Sequence, residues 1–449
     1  MANAILPLVV DLVHNAAHPL TGSTDDYNPL LKLIGDSSYV LLGEASHGTH
    51  EFYSARAEIT KRLVREKGFN AIAVEADWPD AYRINRYVQG RGPDADAVEA
   101  LSGFRRFPAW MWRNADVLDF VGWLRSYNDS LTAESLARIG FYGLDLYSLH
   151  ASIEAVLGYL DKIDPEGAIR ARHRYACFEH FGEDAQAYGY ATGLGLSRKC
   201  EAEVIAQLVD LRRSALAYVR RNGWIAEEDF FSAEQNARLV KNAEHYYRTM
   251  FGGRVSSWNL RDAHMVETFD SLQRHLATKR HSAKVVVWAH NSHLGDARAT
   301  QMHADGEWNV GQLMRERYGE DVCLVGFSTY EGTVTAASNW DGPGERKRVR
   351  PARVDSYEGL FHRAGIPAFV LPLERGTQVT AGLSEPMLER AIGVIYRPET
   401  ERASHYFEAR LSDQFDAVIH FDQTRAVEPL EPIAMLKDAE PAETFPSGI

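Results

Sequence analysis

Short, continuous apolar runs recur along the chain, most of them rich in β-branched residues. They are Tyr39–Leu42, Ala71–Val74, Gly140–Leu144, Val285–Trp288, Val322–Val325, Ala368–Leu371, Ile392–Ile395 and Ala417–Phe421. Brief runs of this kind, bounded by turn or charged residues, predict strands. Apolarity that continues rather than alternates predicts burial on both faces, as in a parallel sheet covered by helices. Between the first two runs lies Phe52–Lys67, a helical pattern ended by Gly68. That gives strand, helix, strand: one right-handed crossover.

From Ser148 to Lys279 the period changes. This stretch predicts successive helices over Ala151–Asp161, Pro165–Phe181, Arg198–Arg221, Glu227–Met250 and Asn259–Lys279. So much helix between two strands exceeds an ordinary crossover and is expected to be an insertion or cover over the sheet. The fold class is therefore α/β, a central, mostly parallel sheet flanked by helices with a large helical insertion. Residues 1–147 form the first part of the α/β core, 148–280 the helical part, and 281–430 the second part of the core with a small α+β elaboration. Residues 431–449 read as a poorly ordered tail, and Asp341–Pro351 (DGPGERKRVRP) as an exposed loop or lid with a solvated basic cluster. No fixed-period repeat is evident.

Composition narrows the function without naming it. Among 449 residues, 49 Lys and Arg stand against 62 Asp and Glu, a formal charge of −13 with 17 histidines counted as neutral. An acidic balance argues against nucleic acid as a partner, since phosphate binding leaves a basic footprint. A content of 45% hydrophobic and 25% charged residues is that of an ordinary globular protein. Three cysteines without a CxxC pair speak against a disulfide scaffold or a zinc ribbon, and Cys177, Cys200 and Cys323 are expected to be inert thiols. Met1–Val10 is apolar but lacks a preceding basic region, so a targeting signal is not expected. No window has the roughly 18 apolar residues of a membrane helix, so the expected location is cytoplasmic, with no membrane partner.

The chemistry stands at the strand ends. Tyr39–Leu42 runs into Gly43, Glu44, Ala45, Ser46, His47, Gly48, Thr49, His50 and Glu51. Ala71–Val74 ends in Glu75, Gly140–Leu144 in Asp145, and Val285–Trp288 leads to His290 and His293. Open α/β sheets bind ligands at the carboxyl ends of their strands. One carboxylate there is equally a helix cap or a buried structural group; four ionisable strand ends on one edge point to a site. Arg56 shares a helical stripe with Phe52, Ile59 and Leu63, so it faces inward near the start of its helix. A buried guanidinium needs carboxylates or anions, and Glu44 and Glu75 are the expected partners, in a structural bridge or at a substrate carbonyl. His47, between Gly43 and Gly48, is the candidate base, with Glu44 to hold its tautomer. His290 is a catalytic companion, while His50, His293 and Asp145 are candidate substrate-binding or supporting residues.

Several mechanisms lack their motifs. There is no GxSxG elbow, no GxxxxGK-Ser/Thr phosphate loop, no GxGxxG fingerprint and no HExxH. Ser46 adjoins His47 on a loop, where neighbours seldom face each other, so it is not expected to be a nucleophile. What remains is water attack with histidine as general base and no cofactor. Two alternatives stay open. Glu44, His47, Glu75 and His290 form a mixed N/O set for a divalent metal, which would serve phosphoester or amide hydrolysis, although Arg56 would repel the cation. A non-catalytic protein that binds a small ligand is the other.

At this point the motifs themselves carry a likeness. LLGEASHGTHEFYSAR followed by AVEADWP resembles the opening motif of the erythromycin esterase family, and VVVWAHNSHLGD resembles its second histidine motif. Further similar stretches are GFYGLDLYSLH, SWNLRDAHM, GEWNVGQLMRERYG and SHYFEARLSDQFDAVIHFD, so the resemblance runs from about Asp36 to Arg425. It implies hydrolysis of a small-molecule ester or lactone, in named members the macrolactone of erythromycin-type antibiotics. It maps a water-activating histidine onto His47, with Glu44, Arg56, Glu75 and His290 as companions. The fold it implies is a sheet-centred α/β core with a helical part enclosing a cleft.

Overall fold

Seven of the eight apolar runs assemble into one central sheet. A computed structural model describes residues 2–132, 138–181, 184–193, 195–280 and 283–431. Its main strands are β1 (His18–Pro19), β2 (Tyr39–Leu42), β3 (Ala71–Asp77), β4 (Gly140–Asp145), β5 (Val285–Trp288), β6 (Val322–Ala336), β7 (Glu345–Val349), β8 (Ala368–Pro372) and β11 (Ala417–Thr424). A separate two-stranded sheet pairs β9 (Met387–Arg390) with β10 (Tyr406–Ala409). The order is β1-β8-β11-β6-β2-β5-β3-β4, with β7 added to β6. From β11 to β4 every pairing is parallel, while β8, β1 and β7 join antiparallel.

Register sets the height of the site. Leu42 lies level with Trp288 and Val325, and Val74 lies level with Trp288. The residues that follow therefore emerge at one edge. Between Val74 and Asp77 the register against β4 shifts, which re-aims the side chains of that corner.

Alternate side chains feed two cores, one on each face. Leu41, Ala73, Val285 and Val287 pack toward the helical part, with Met265 and Phe269. Val40, Leu42, Ile72 and Val286 pack toward Phe52, Ile59 and Leu63 of the helix His50–Lys67. That helix ends with Gly68 in the left-handed region at φ 70°, the amide of which returns to Leu63.

The helical part connects β4 to β5. It contains Leu149–Ile163, Pro165–Tyr175, a 3-10 turn over Ala176–Phe181, Ala185–Gly193, Glu201–Thr249 and Arg254–Arg280. The expected pair Arg198–Arg221 and Glu227–Met250 is one helix of 49 residues. Gly223 lies within its bounds; a lone glycine costs a helix only about 1 kcal/mol, too little by itself to end it.

Three other expectations are corrected. Ile392–Ile395 is not a ladder strand: Ile392 and Ile395 form isolated bridges to Ser46 and Ala337, and the ladder lies earlier, in β9. The Ile392 amide donates to Ala45 O, so this segment buttresses the loop after β2. Asp341–Pro351 is not all loop, because Glu345–Val349 is the edge strand β7, its charges turned outward on alternate residues. Finally, Cys177 and Cys200 form a disulfide, whereas Cys323 is a buried thiol. The 3-10 turn carries Cys177 to the N-cap of the long helix, a juxtaposition that spacing alone did not signal. The expected tail, residues 431–449, lies outside the described residues apart from Glu431. Among the described residues no helix is long and apolar enough to cross a membrane.

Candidate active site

The loop after β2 is clamped from two sides. Gly48 O accepts the amides of Thr335 and Val427, both at 3.0 Å. A Cβ on Gly48 would stand 1.9 Å from Thr335 O, so only glycine lets the loop lie this close to β6. His47 is thereby fixed at the floor of a cleft, 4% exposed. Its Nδ1–H donates to Glu44 Oε1 at 2.9 Å, which leaves the Nε2 lone pair free to act as a base. Glu44 Oε2 accepts from Arg56 Nη2 at 2.7 Å.

Arg56 faces inward, as its stripe predicts, and is fully buried. Its guanidinium lies over the rings of Tyr53 and Trp288, 4.4 and 5.0 Å from their centroids. It does not line the cleft, so it supports Glu44 and cannot reach a substrate carbonyl. Nor does it meet Glu75. Arg56 packs with the core on one face of the sheet, whereas Glu75 is met from the other face by Arg261 of the helix Arg254–Arg280.

Arg261 organises that second half of the site. Nε and Nη2 grip both oxygens of Asp145 at 3.0 and 2.7 Å, and Nη2 also donates to Glu75 Oε1 at 2.7 Å. Glu75 Oε2 accepts the backbone amide of His290 at 2.9 Å. Burial alone would raise the Glu75 carboxyl; the positive charges of His293 and Arg261 outweigh it and hold the group well below its usual range.

His293 stacks on Trp258, with centroids 4.5 Å apart, and its Nδ1 faces both oxygens of Asp262 at 2.9 and 3.0 Å. Its Nε2 lies 2.9 Å from Arg261 Nη1 and 3.3 Å from Glu75 Oε1. Burial opposes charge on this ring, but Asp262 and Glu75 prevail and push it up to about 9.

His290 behaves oppositely. It caps the short helix Asn291–Leu294, its Nδ1 accepting the Ser292 amide at 3.2 Å, so the ring proton is assigned to Nε2. Burial, then the neighbouring His47, holds its pKa well below the usual value, so it is neutral. Its ring centroid is 4.9 Å from that of His47, and it sits behind His47, fully buried and away from the cleft surface.

The cleft encloses about 730 Å³ including its open mouth. His47, Glu75, Asp145 and Arg261 form its floor. Phe104, Phe107, Trp112 and Trp340 give it apolar walls, and Tyr147, Asp77 and Arg106 complete one side. The Tyr147 ring lies under two guanidinium groups, those of Arg261 at 4.9 Å and Arg106 at 5.0 Å.

Of the residues picked from sequence, Glu44, His47, Arg56, Glu75, His290, Asp145 and His293 converge. His50 does not: its Nδ1 pairs with Asp116 at 2.7 Å and its Nε2 meets Arg425, away from the cleft lining. Ser46 turns its hydroxyl to Thr49. Among the described residues, no group of three or more His, Cys, Asp or Glu is arranged to hold a metal ion. Arg261 and Asp262 were missed, although a signal existed. Trp258, Asp262, Met265 and Phe269 share a helical stripe with the same spacing that exposed Arg56, and all four are buried.

The family model described as erythromycin esterase matches residues 64–424. The chain is 26% identical to erythromycin esterase type II of Escherichia coli, over 70% of this chain and 74% of that protein. It is 22% identical to the putative hydrolase YbfO of Bacillus subtilis, over 91% and 89% of the two chains. Among solved structures, a succinoglycan biosynthesis protein superposes with a TM-score of 0.74 at 22% identity, covering 95% of this chain and 99% of that one. An erythromycin esterase mutant in its open conformation superposes at 0.64 and 19% identity, covering 91% and 96%.

Proposed function

The chain belongs to the erythromycin esterase family, whose named members are hydrolases, and from that premise we propose that it cleaves a carboxylic ester or lactone with water activated by His47. The observation that carries this reading is the chain His47–Glu44–Arg56, which ends at the cleft floor with a free Nε2. Glu44 accepts the Nδ1 proton and so presents the other nitrogen as the base. When His47 takes a proton from water, the carboxylate of Glu44 stabilises the imidazolium that forms.

Hydroxide then adds to the ester carbonyl, and negative charge develops on its oxygen. Arg261 is the cation at the cleft floor placed to meet that charge, in the role that sequence reading gave to Arg56. Collapse of the tetrahedral adduct breaks the C–O bond, and the proton on His47 passes to the leaving alkoxide. One ester and one water give one acid and one alcohol. Neutral His290 backs the His47 ring, and its backbone amide fixes Glu75. The aromatic walls suit a substrate with a sizeable apolar body, a macrolactone among them.

A metal-dependent reading fits less well, because Glu44 and Glu75 are engaged by Arg56 and Arg261. The test is a hydrolysis screen by mass spectrometry over macrolides, simple lactones and aryl esters, with His47→Asn beside the parent protein. His47→Asn is expected to lower turnover by roughly a hundredfold or more while the protein stays folded. Retention of most of the activity by that variant would overturn the mechanism, and retention by a folded, metal-stripped sample is expected.

A further inference from the structure

Asp77 is an acid of the cleft side whose arrangement the hydrolytic chemistry leaves unexplained. It closes β3 and stands at the N-cap of the helix Trp78–Val88. Aspartate at that position ordinarily turns its carboxylate back to accept the first amides of the helix. Here it makes no such bond, and Pro79 removes one of the amides it would have met. The side chain turns instead to the cleft, where Oδ2 accepts from Arg106 Nε at 2.8 Å. Oδ1 is buried and has no hydrogen-bond partner.

An open oxygen on a buried carboxylate is costly, because nothing replaces the water it has lost, so a folded protein seldom leaves one without use. The neighbouring acids of the floor differ. Asp145 has both oxygens on Arg261, and Glu75 has one on Arg261 and one on the His290 amide. Asp77 alone of these three has an oxygen without a hydrogen-bond partner. Its own guanidinium partner, Arg106, holds it from one side only and rests on Tyr147, so the carboxylate is oriented before any ligand arrives.

We infer that Asp77 Oδ1 is the acceptor for a hydrogen-bond donor on the ligand body, an alcohol hydroxyl or a protonated amine, and that it selects esters and lactones bearing such a group beside an apolar frame. This rests on the hydrolytic reading of the same cleft. Phe104, Phe107, Trp112 and Trp340 take the apolar frame, and Asp77 reads the donor. A site with one buried acceptor of this kind discriminates sharply against an analogue that has lost the donor, because binding the analogue leaves the acceptor unpaired.

Asp77→Asn is an informative change. Arg106 Nε–H requires an oxygen facing it, so the new amide places its NH2 where Oδ1 stood and turns an acceptor into a donor. The experiment uses matched lactones and aryl esters that differ at one position, carrying hydroxyl, ammonium or methyl. Binding is measured by calorimetry on His47→Asn protein, so that turnover does not enter, and turnover is measured separately on the parent protein. Donor-bearing compounds are expected to bind at least about tenfold more tightly than the methyl compounds, and adding Asp77→Asn is expected to erase or invert that ratio. The ratio within one preparation does not depend on how much of the variant is folded. Equal binding of all three compounds, no binding of any, or a preference that survives Asp77→Asn overturns the inference. A hydroxyl or ammonium preference without hydrolysis by the parent protein would leave the Asp77 assignment standing and remove the esterase reading. Hydrolysis without a donor preference would do the reverse.

Discussion

Two buried imidazoles a few residues apart are driven in opposite directions. His293 lies between Asp262 and Glu75 and is raised to about 9 in the folded protein, against about 6.5 in an unfolded chain. Its contribution to stability is therefore complete below pH 6.5 and is lost as pH climbs through 9, a change on the order of 3 kcal/mol. His290, neutral in its buried position, contributes above the unfolded value and loses that contribution as pH falls below it. Denaturant midpoints recorded from pH 5 to 10 should decline at both ends, and His293→Gln should flatten the alkaline limb. An alkaline limb of the same steepness in His293→Gln would mean that His293 is not charged in the native state. At this scale the sequence was most legible where a polar residue broke an apolar stripe, as Arg56 does. Asp262 breaks its stripe in the same way, inside the segment that also reads as a helical cover over the sheet. The partners of each charge were legible in part: Glu44 meets His47 and Arg56 as expected, whereas Glu75 meets Arg261 and not Arg56. Which carboxylate meets which guanidinium depends on the face of the sheet from which each helix approaches, and the linear pattern does not encode that.

Elements position these residues through register and close approach. The parallel strands end level with one another, so residues far apart in sequence reach one edge. Gly48 makes the tightest of these approaches, its backbone against that of Thr335. Gly48→Ala is expected to destabilise the protein by about 1–3 kcal/mol and to lower turnover by shifting His47, read by denaturant midpoint together with kcat. A variant with parental midpoint and kcat would show that the loop yields without moving the base. The strands were readable because β-branched runs buried on both faces have no polar interruption. Ile392–Ile395 has the same composition yet serves as a brace, since it meets the loop after β2 where a ladder partner would otherwise pair. Glu345–Val349 was hidden by its charges, which on an edge strand face solvent and carry no apolar pattern. The two helices expected over Arg198–Arg221 and Glu227–Met250 are one, because the segment between them, which contains Gly223, continues the helix.

Across the whole molecule, the sheet edge and the helical part meet at the site but are braced separately. The disulfide Cys177–Cys200 closes a sequence separation of 23 residues within the helical part. Opening it by Cys177→Ser is expected to cost roughly 3 kcal/mol and lower the thermal midpoint, with activity at moderate temperature retained because the cleft residues lie elsewhere. An unchanged midpoint would mean that the bridge does not constrain the unfolded chain. The cleft itself divides in a similar way. Its reactive floor is rooted in strand ends and one helix, whereas Phe104, Phe107, Trp112 and Trp340 stand on connecting segments. Such segments accept exchange more readily than the ladders below them. For protein engineering, the scaffold therefore offers separable modules: transplanting the wall segments from one relative to another should carry over the preference for the apolar body of a compound while leaving the hydrolytic step, and the donor preference set by Asp77 at the end of β3, untouched. Divergence within a lineage would follow the same path, with new substrates acquired by rewriting the rim of a constant reaction centre.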